Sequence, residues 1–383
     1  MAGFGFTEEQ EMFRREVRRF VQTEMSPGAA QRAKREGYPK ELIKKMGDMG
    51  LLGLNLPAEY GGQPADWVSV GIAMEEIARV DTQAYHIPIQ IIAAYLVLQQ
   101  GSEELRQEWM PALIRGDKVP CLAITEPDCG SDAAALKTRA VRDGDFYILN
   151  GEKTSITLGS QADMAVLFAK TDPTQKARGI TSFVVPLNLP GITRTRFTDT
   201  GWKALGRSSI VMDDVRLPIR YRVGDEGKGF YMVMGQFDFI RVCLGLGALA
   251  AAQTSLEEAI AYAKQRNAFG RPIARFEAVS FKIAEHATFI EAARLLCYRT
   301  LWLKDQGLPH TKESAMCKWL CPKIGVKAIH DSLLIHGHVA YSEEFPIEQR
   351  LRDTMGLEMA DGTAEIMKLI ISREIMGREF LPY

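Results

Sequence analysis

The order of hydrophobic patterns along this chain constrains its fold more than any other feature. Up to about residue 118, apolar side chains such as Phe13, Val17 and Phe20 recur at the spacing of an amphipathic helix. Thr7 and Gln10 precede this stripe at the spacing of a capping box, which predicts where the first helix begins. Further helices are predicted over residues 39–49, 67–80 and 86–100.

The middle of the chain has a different pattern. Short β-branched runs at 146–149, 164–168 and 180–185 are separated by Gly, Pro, Asn and Asp, which predicts strands. Asn150-Gly151 is predicted to form a tight hairpin turn, because both residues tolerate a positive φ.

Helical periodicity returns after residue 227, and four long helices are predicted over residues 229–266, 275–305, 311–336 and 362–377. Because strands and helices do not alternate, the pattern favours an α+β fold over a doubly wound sheet. We expect an N-terminal helical domain (1–118), a middle β-barrel or sandwich domain (119–227) and a C-terminal four-helix bundle (228–383). Neither GxGxxG after a strand nor GxxxxGK occurs, so any nucleotide is held in another way.

Charge and cysteine content exclude several classes of protein. The formal net charge is -1 over 383 residues, so no one-signed field exists to bind nucleic acid or an anionic membrane. The six cysteines lack the spacing of a small disulfide scaffold and are expected to be reduced. The N-terminus has no basic segment followed by an apolar core, which favours a cytoplasmic location. His336 and His338 point in different directions on a helix, so no metal site is expected.

Two short motifs in the β region carry a specific resemblance. Thr125-Glu126-Pro127 is followed by Gly130-Ser131-Asp132, and Asn150-Gly151 precedes Lys153, Ile156 and Thr157. In this order the chain resembles the acyl-CoA dehydrogenase family, whose middle domain carries TEP-x-x-GSD and then NG-x-K-x-x-I-T. The resemblance implies FAD as cofactor and a coenzyme A thioester as substrate. It places Thr125 and Thr157 near the flavin ring and Ser131 against both cofactor and substrate, and it adds these cofactor contacts: Leu122, Ile124, Gly130, Ser155 and Ile156.

The resemblance continues through the C-terminal third and covers nearly the whole chain. Arg266-Asn267-Ala268-Phe269-Gly270 resembles the RxxFG motif, whose Arg and Phe reach the FAD of a neighbouring subunit in the family. A guanidinium suits that task because it pairs bidentately with pyrophosphate. A homotetramer is therefore implied, with an electron-transfer flavoprotein as electron acceptor. The remaining cofactor contacts that the resemblance implies are Phe276, Leu334, Gly337, His338, Thr363 and Glu365.

Asp361 stands where the family has the glutamate that takes the substrate's α-proton. The reaction needs a carboxylate on one face of Cα and flavin N5 on the other, so that proton and hydride leave in opposite directions. By propensity alone, an Asp before Gly362-Thr363 and an apolar run would instead be the N-cap of a helix. The resemblance favours the base, since Asp361 follows Asp353 by the family's spacing and Ile240 occupies the alternative base position.

Several residues are expected to bind the substrate. Asp238 and Arg241 share one helical face, where family members line the coenzyme A channel; a simple surface ion pair is the alternative. Gly362, Tyr85 and Gln90 are assigned to the acyl side. Because Asp is one C–C bond shorter than Glu, its carboxylate lies about 1.5 Å closer to the backbone. No acidic residue occurs between Asp81 and Glu103, which favours an apolar alicyclic acyl group, such as cyclohexanecarboxyl, or a short branched one.

Two departures from the family pattern leave alternatives open. Ser155 replaces an aromatic residue that covers the flavin edge, and the segment 334–341 lacks the usual Gln and Gly-Gly on the adenine side. One alternative is an acyl-CoA oxidase or nitrogen-oxidising relative, in which oxygen reoxidises the flavin. The other is a flavin-binding module without catalysis. The acyl group, the direction of the reaction and the electron acceptor are not fixed by the sequence.

Overall fold

The first helix begins at the predicted capping box. The structure, a computed structural model, describes residues 5–381, and in it α1 spans Glu8–Phe20. The backbone N–H of Gln10 donates to Thr7 Oγ1 at 3.2 Å, and that of Thr7 donates to Gln10 Oε1 at 3.0 Å. The remaining helices of this region are α2 (Ala29–Arg32), α3 (Lys40–Asp48), α4 (Trp67–Val80), α5 (His86–Leu98) and α6 (Glu103–Ile114).

The middle region forms one connected sheet. Its strands are β1 (Pro120–Ala123), β2 (Arg139–Asp143), β3 (Phe146–Thr157), β4 (Met164–Lys170), β5 (Ile180–Pro186), β6 (Ile192–Arg196), β7 (Arg207–Pro218) and β8 (Arg222–Val223). Their order is β6-β7-β3-β2-β4-β5-β8, and β1 runs parallel to β4. Since β2 meets β4 only at the pair Arg139 and Lys170, the sheet divides there into two parts.

The hairpin predicted at Asn150-Gly151 is wrong. β3 continues through these residues, and its register against β7 shifts between Leu149 and Gly151, which marks a bulge. Gly151 has a φ of +144°, and a Cβ built there would lie 2.8 Å from Thr138 Cα. Glycine is therefore needed for the close approach of a neighbouring segment. The actual two-residue turn joins β2 to β3 and begins at Gly144.

All four predicted C-terminal helices are present, with one break and one addition. The elements are α7 (Gly229–Met234), α8 (Phe237–Gln265), the short strands β9 (Asn267–Ala268) and β10 (Arg271–Pro272), α9 (Glu277–Asp305), α10 (Thr311–His336), α11 (Pro346–Leu357) and α12 (Ala364–Met376). The first predicted helix divides at Gly235 into α7 and α8, and α11 is additional.

Helix α8 forms the centre of the helical core. The stretch Gly229–Gln265 is long and apolar enough to cross a membrane, but 89% of its most apolar window is buried within the protein. It packs against α9 and α10 from its own region and against α4 from the N-terminal region. Helix α4 therefore adds to the C-terminal bundle, while the core of the other N-terminal helices is continuous with that of the middle region.

Asp353 joins the three regions of the chain. Its carboxylate accepts a hydrogen bond from Thr82 Oγ1 at 2.7 Å, from the backbone N–H of Trp202 at 2.6 Å and from Gln349 Nε2 at 2.6 Å. Only 1% of Asp353 is exposed. Because these partners come from the N-terminal, middle and C-terminal regions, the carboxylate fixes their relative positions close to the turn that carries Asp361.

Candidate active site

The turn between α11 and α12 presents Asp361 to a cleft. Asp361 has a φ of +51° and Gly362 a φ of +100°, so two successive residues adopt left-handed or related conformations. The next helix is capped by Thr363, whose Oγ1 accepts a hydrogen bond from the backbone N–H of Ile366 at 3.4 Å. The alternative in which Asp361 is the N-cap is therefore wrong. Among the described residues 5–381, no hydrogen bond to the Asp361 carboxylate is present.

Two cations act on this carboxylate without a direct ion pair. Solvent reaches Asp361, yet the surrounding protein is dense enough for burial to raise the pKa of its carboxyl above the ordinary value. These two observations together describe a side chain that is open to solvent on one side and surrounded by protein on the others. Lys318 and Arg241 oppose the rise in pKa through their positive charges. The carboxylate therefore stays ionised more readily than burial alone would allow.

Asp238 and Arg241 form the predicted pair on one face of α8, with 3.2 Å between Arg241 Nη1 and Asp238 Oδ1. The pair is not on the surface, since Arg241 is only 8% exposed. Thr311 Oγ1 also donates to the Asp238 carboxylate, at 2.6 Å. Arg241 Nη2 lies 4.0 Å from where a Cβ on Gly362 would stand, so the guanidinium borders the turn that carries Asp361.

Tyr85 lies close to Asp361, whereas Gln90 leaves α5 on a different side. Tyr85 is 1% exposed, and within residues 5–381 its hydroxyl has no hydrogen-bond partner. Burial raises the pKa of Tyr85 most, and the charges of Asp353 and Asp361 add to the rise. Its ring packs on α8, where a Cβ on Gly247 would meet Tyr85 Cζ at 2.3 Å. Five residues turn a helix by about 140° beyond one full turn. The two predicted acyl-side residues therefore do not share a face.

The two motifs of the β region meet in space. The backbone N–H of Thr154 donates to Thr125 O at 2.8 Å, which joins the end of β1 to β3. Beneath this contact, Lys153 Nζ donates to Glu126 Oε1 at 2.7 Å and to Ile124 O at 3.1 Å. Both members of this ion pair are buried. The pair fixes the hydroxyl-bearing loop against the strand that carries Thr157.

The other residues of the β region that are predicted to contact FAD form a polar surface suited to the edge of a planar ring. Ser131 and Gly130 are exposed, whereas Leu122, Thr125 and Thr157 are half-buried. Ile124 and Ile156 pack into the core behind them. Ser155 has a φ of +59°, and its Oγ accepts a hydrogen bond from Arg207 Nη1 at 3.3 Å. Hydroxyls and backbone groups therefore line the site where the flavin ring is expected.

A second part of the site lies at the far end of α8. A cavity of about 300 Å³ brings together three predicted residues and several that sequence reasoning missed. Its lining is Ala268, Phe269, Ile273, Phe276, Ala278, Val279, Lys282, Leu334 and Ile335. Ligand pockets are commonly 300–1,000 Å³ with mostly apolar walls and few polar groups. This lining fits the aromatic portion of a dinucleotide, and its charged residue, Lys282, is paired with Asp331 at 3.4 Å.

Phe269 is the most exposed member of this lining, at 95%. It lies at the tip between β9 and β10, where Phe269 and Gly270 have φ values of +50° and +76°. Arg266 lies exposed at the C-cap of α8. Along α8, Arg266 is 25 residues from Arg241, or about 37 Å at 1.5 Å per residue. The two predicted arginines therefore lie at opposite ends of α8.

Four further residues predicted to contact the cofactor lie at the end of α10 and the start of α12: Gly337, His338, Thr363 and Glu365. Gly337 has a φ of +73° and closes α10, and the ring of His338 stacks on Tyr341 at 6.1 Å. Glu365 is exposed in the first turn of α12, just after the cap Thr363.

The sequence reasoning missed Lys318, which borders Asp361. This lysine lies between Cys317 and Trp319 within an apolar stretch of α10, where only its fully buried position distinguishes it from a surface lysine. Lys153 and Glu126 belong to the two motifs, but the motifs alone indicate no role for these side chains. Their spacing of 27 residues carries no local signal of a contact.

Comparison with known proteins agrees with this geometry over most of the chain. The family descriptions "Acyl-CoA dehydrogenase, N-terminal domain", "middle domain" and "C-terminal domain" match residues 7–117, 121–215 and 227–376. An acyl-CoA dehydrogenase of Bacillus subtilis (strain 168) is 38% identical over 375 residues, covering 97% of this chain and 99% of the relative. The mitochondrial short-chain specific acyl-CoA dehydrogenase of Mus musculus is 37% identical, covering 96% and 90%.

A solved structure agrees as well. The glutaryl-CoA dehydrogenase of Mycobacterium smegmatis in complex with FADH2 has a TM-score of 0.92 at 29% identity, covering 97% of this chain and 96% of that one. Fold, motif geometry and similarity over the whole length lead to one conclusion: the chain belongs to the acyl-CoA dehydrogenase family and is an FAD-dependent acyl-CoA dehydrogenase.

Proposed function

We propose that this enzyme converts a small alicyclic or short branched acyl-CoA to its 2,3-enoyl-CoA, with Asp361 as the catalytic base. The observation that carries the proposal is the free carboxylate of Asp361 in a cleft bordered by Arg241 and Lys318. A base needs an unoccupied lone pair, and this carboxylate accepts no hydrogen bond from residues 5–381.

The residues of this chain have distinct tasks in the proposed mechanism. Asp361 accepts the α-proton at a carboxylate oxygen. Burial increases its affinity for that proton, while Arg241 and Lys318 keep it ionised beforehand. Bound FAD supplies the acceptor for the hydride that leaves Cβ. The Asp238 and Arg241 pair and Ser131 bind the coenzyme A portion.

A compact acyl group is supported by three observations. Asp places the carboxylate about 1.5 Å further back than Glu, so Cα must come closer to the backbone. Tyr85 fills space next to the base and needs Gly247 behind it. Relatives that are 37% identical are short-chain specific acyl-CoA dehydrogenases, which favours a small substrate.

We also propose a homotetramer in which each FAD bridges two subunits. The 25 residues of α8 between Arg241 and Arg266 support this arrangement, as does the exposed Phe269. Helix α9 exposes four large apolar residues, Phe281, Phe289, Leu295 and Trp302, at 61%, 55%, 45% and 41%. Surfaces of this kind favour association. We propose an electron-transfer flavoprotein as acceptor, a cytoplasmic location, and domain boundaries after residues 118 and 227.

Anaerobic bleaching of the flavin tests the activity and the substrate together. Straight-chain, branched, cyclohexane- and cyclohexene-carboxyl-CoA esters are added to the holoenzyme, and the flavin absorbance near its visible maximum is followed. We expect the fastest bleaching with an alicyclic or branched ester. Equal or faster bleaching with straight-chain esters would refute the substrate assignment but not the reaction.

Two alternatives predict different results, one in an aerobic assay of oxygen consumption and one in the anaerobic bleaching assay. An acyl-CoA oxidase would consume oxygen at the rate at which an artificial acceptor is otherwise reduced. A flavin-binding module without catalysis would leave the flavin oxidised with every thioester. Since the described chain leaves the Asp361 carboxylate free beside two cations, we expect bleaching and slow oxygen consumption.

A further inference from the structure

Lys318 is a buried lysine whose ammonium contacts both ends of the turn that carries Asp361. The residue is 1% exposed and lies in the middle of α10. Its Nζ donates to the carbonyl oxygen of Leu357, the last residue of α11, and to that of Gly362 at 3.3 Å. The ammonium thus bridges the residue before the turn and the residue directly after Asp361.

No carboxylate within residues 5–381 forms an ion pair with Lys318, and its ammonium is directed at carbonyl groups instead. Leu357 O belongs to the last turn of α11, where carbonyls lack helical partners and carry partial negative charge. This arrangement offsets the buried charge without occupying the Asp361 carboxylate. The nearby charged and titratable groups are Asp361, Arg241, Glu358 and Cys321.

The turn needs such support because its backbone is strained. Asp361 and Gly362 both have φ between +50° and +100°. Left-handed conformations of residues other than glycine cost free energy and persist where surrounding contacts hold them. Met367 Cε closes the other side, at 2.5 Å from a Cβ built on Gly362. The two carbonyl contacts of Lys318 therefore act on the segment whose position decides where the carboxylate lies.

We propose that Lys318 is a positioning residue for the base: its ammonium holds the turn through the carbonyls of Leu357 and Gly362 and places a positive charge beside Asp361. The proposal rests on the proposed role of Asp361 in proton abstraction. Donors aimed at the backbone leave the carboxylate lone pairs free to take the α-proton. A direct Lys318 to Asp361 ion pair would instead stabilise the ionised carboxylate and weaken it as a base.

Three variants of the FAD-loaded enzyme test this proposal. Lys318→Met removes both hydrogen bonds and the charge at similar volume, and Lys318→Gln keeps a neutral donor. Lys323→Met, on the exposed side of the same helix, is the matched control. Rates of anaerobic flavin reduction are measured against pH with one thioester, together with flavin content and thioester affinity.

We expect Lys318→Met to reduce the flavin about 100-fold more slowly, since small displacements of a catalytic group have effects of that size. Lys318→Gln should lose less rate. In both, the acidic limb of the pH profile should move to higher pH, because the cation that lowers the pKa of Asp361 is gone. Lys323→Met should match the wild type. Wild-type rate and pH profile in Lys318→Met would overturn the proposal.

Two further experiments separate this proposal from the assignment of the base and from a folding defect. In an Asp361→Asn background, Lys318→Met should cause no additional loss, because Lys318 acts through Asp361; a further tenfold loss would overturn the proposal. Should the Lys318 variants not fold, NMR of lysine-labelled wild-type enzyme and Asp361→Asn remains decisive. The Lys318 amine, whose pKa burial lowers to about 8, should titrate at lower pH without Asp361. An unchanged pKa would refute the coupling.

Discussion

Thr363, and not Asp361 two residues before it, caps helix α12. The Thr363 hydroxyl accepts the hydrogen bond from the backbone N–H of Ile366, so the Asp361 carboxylate is not used to begin the helix. A capping carboxylate would accept hydrogen bonds that stabilise its ionised form and would be a weaker base. Because Thr363 caps the helix, Asp361 in the preceding turn remains available as a reactive group.

Replacing Asp361 by Asn should abolish reduction of the flavin by acyl-CoA. General base catalysis contributes about 10²- to 10⁴-fold, and the amide cannot take the proton. Asp361 is exposed, so the variant should fold and keep its flavin. Stopped-flow absorbance under anaerobic conditions measures the rate, and flavin content is the control. A rate like that of the wild type would show that another group is the base.

Replacing Asp361 by Glu should shift substrate preference rather than abolish activity. The carboxylate advances by about 1.5 Å, so it should reach the α-proton of a straight chain better and crowd a branched Cα. The ratio of reduction rates for butyryl-CoA and cyclohexanecarboxyl-CoA measures this effect. A ratio unchanged from the wild type would mean that the length of the base does not set the selectivity.

Replacing Gly247 by Ala should destabilise the enzyme, although alanine normally favours a helix. The new Cβ would lie 2.3 Å from Tyr85 Cζ, in a position where both residues are buried. Overpacking of this kind costs about 1–3 kcal/mol, which exceeds the gain of roughly 1 kcal/mol in helix propensity. Chemical denaturation of the holoenzyme measures the free energy of unfolding.

The control is Gly235→Ala, where the nearest atoms to the new Cβ are 3.8 Å away. In a Tyr85→Ala background, Gly247→Ala should cost less stability than it does in the wild type, because the clashing ring is absent. If Gly247→Ala is as stable as the wild type, the ring has another position available.

Replacing Asp353 by Ala should lower stability by about 3 kcal/mol, because the buried backbone N–H of Trp202 and the hydroxyl of Thr82 lose their acceptor. Thermal and chemical unfolding of the holoenzyme measure the loss. Asp213→Ala, at an exposed position of β7, should stay within about 0.5 kcal/mol of the wild type. Equal effects of the two substitutions would contradict the junction role of Asp353.

Replacing Phe269 by Ala should weaken FAD binding and assembly. The side chain is 95% exposed in one chain, so its removal should not disturb the core. Losing a buried aromatic contact with a neighbouring subunit's cofactor would cost about 1.5–3 kcal/mol, or roughly 10- to 100-fold in affinity. Flavin retention on dilution measures FAD binding, and the oligomeric mass measures assembly.

Val141→Ala is the matched control, since Val141 is 61% exposed on β2, away from β9 and β10. It should keep its flavin and its assembly. Full flavin retention in Phe269→Ala would show that this side chain does not reach a cofactor.

The sequence by itself determined the elements that depend on local spacing. The capping box of Thr7 and Gln10, the helical stripes and most strand runs reflect neighbours within a few residues, and the structure places these within about two residues of their expected bounds. The run at 146–149 is the exception, because β3 continues to Thr157. The motif order also identified the turn that carries Asp361. Asn150-Gly151 could not be resolved in this way, because a turn and a bulge both need a glycine at positive φ.

Tertiary structure decided what lies around the base. Lys318 reaches Leu357 and Gly362 across 39 and 44 residues, and Asp353 reaches Thr82 across 271. Contacts at such separations leave no periodic trace in the chain, since any surface lysine or aspartate has the same local sequence signal. Whether an ionisable side chain is buried, and which carbonyl or carboxylate then offsets its charge, is settled only when the helices pack.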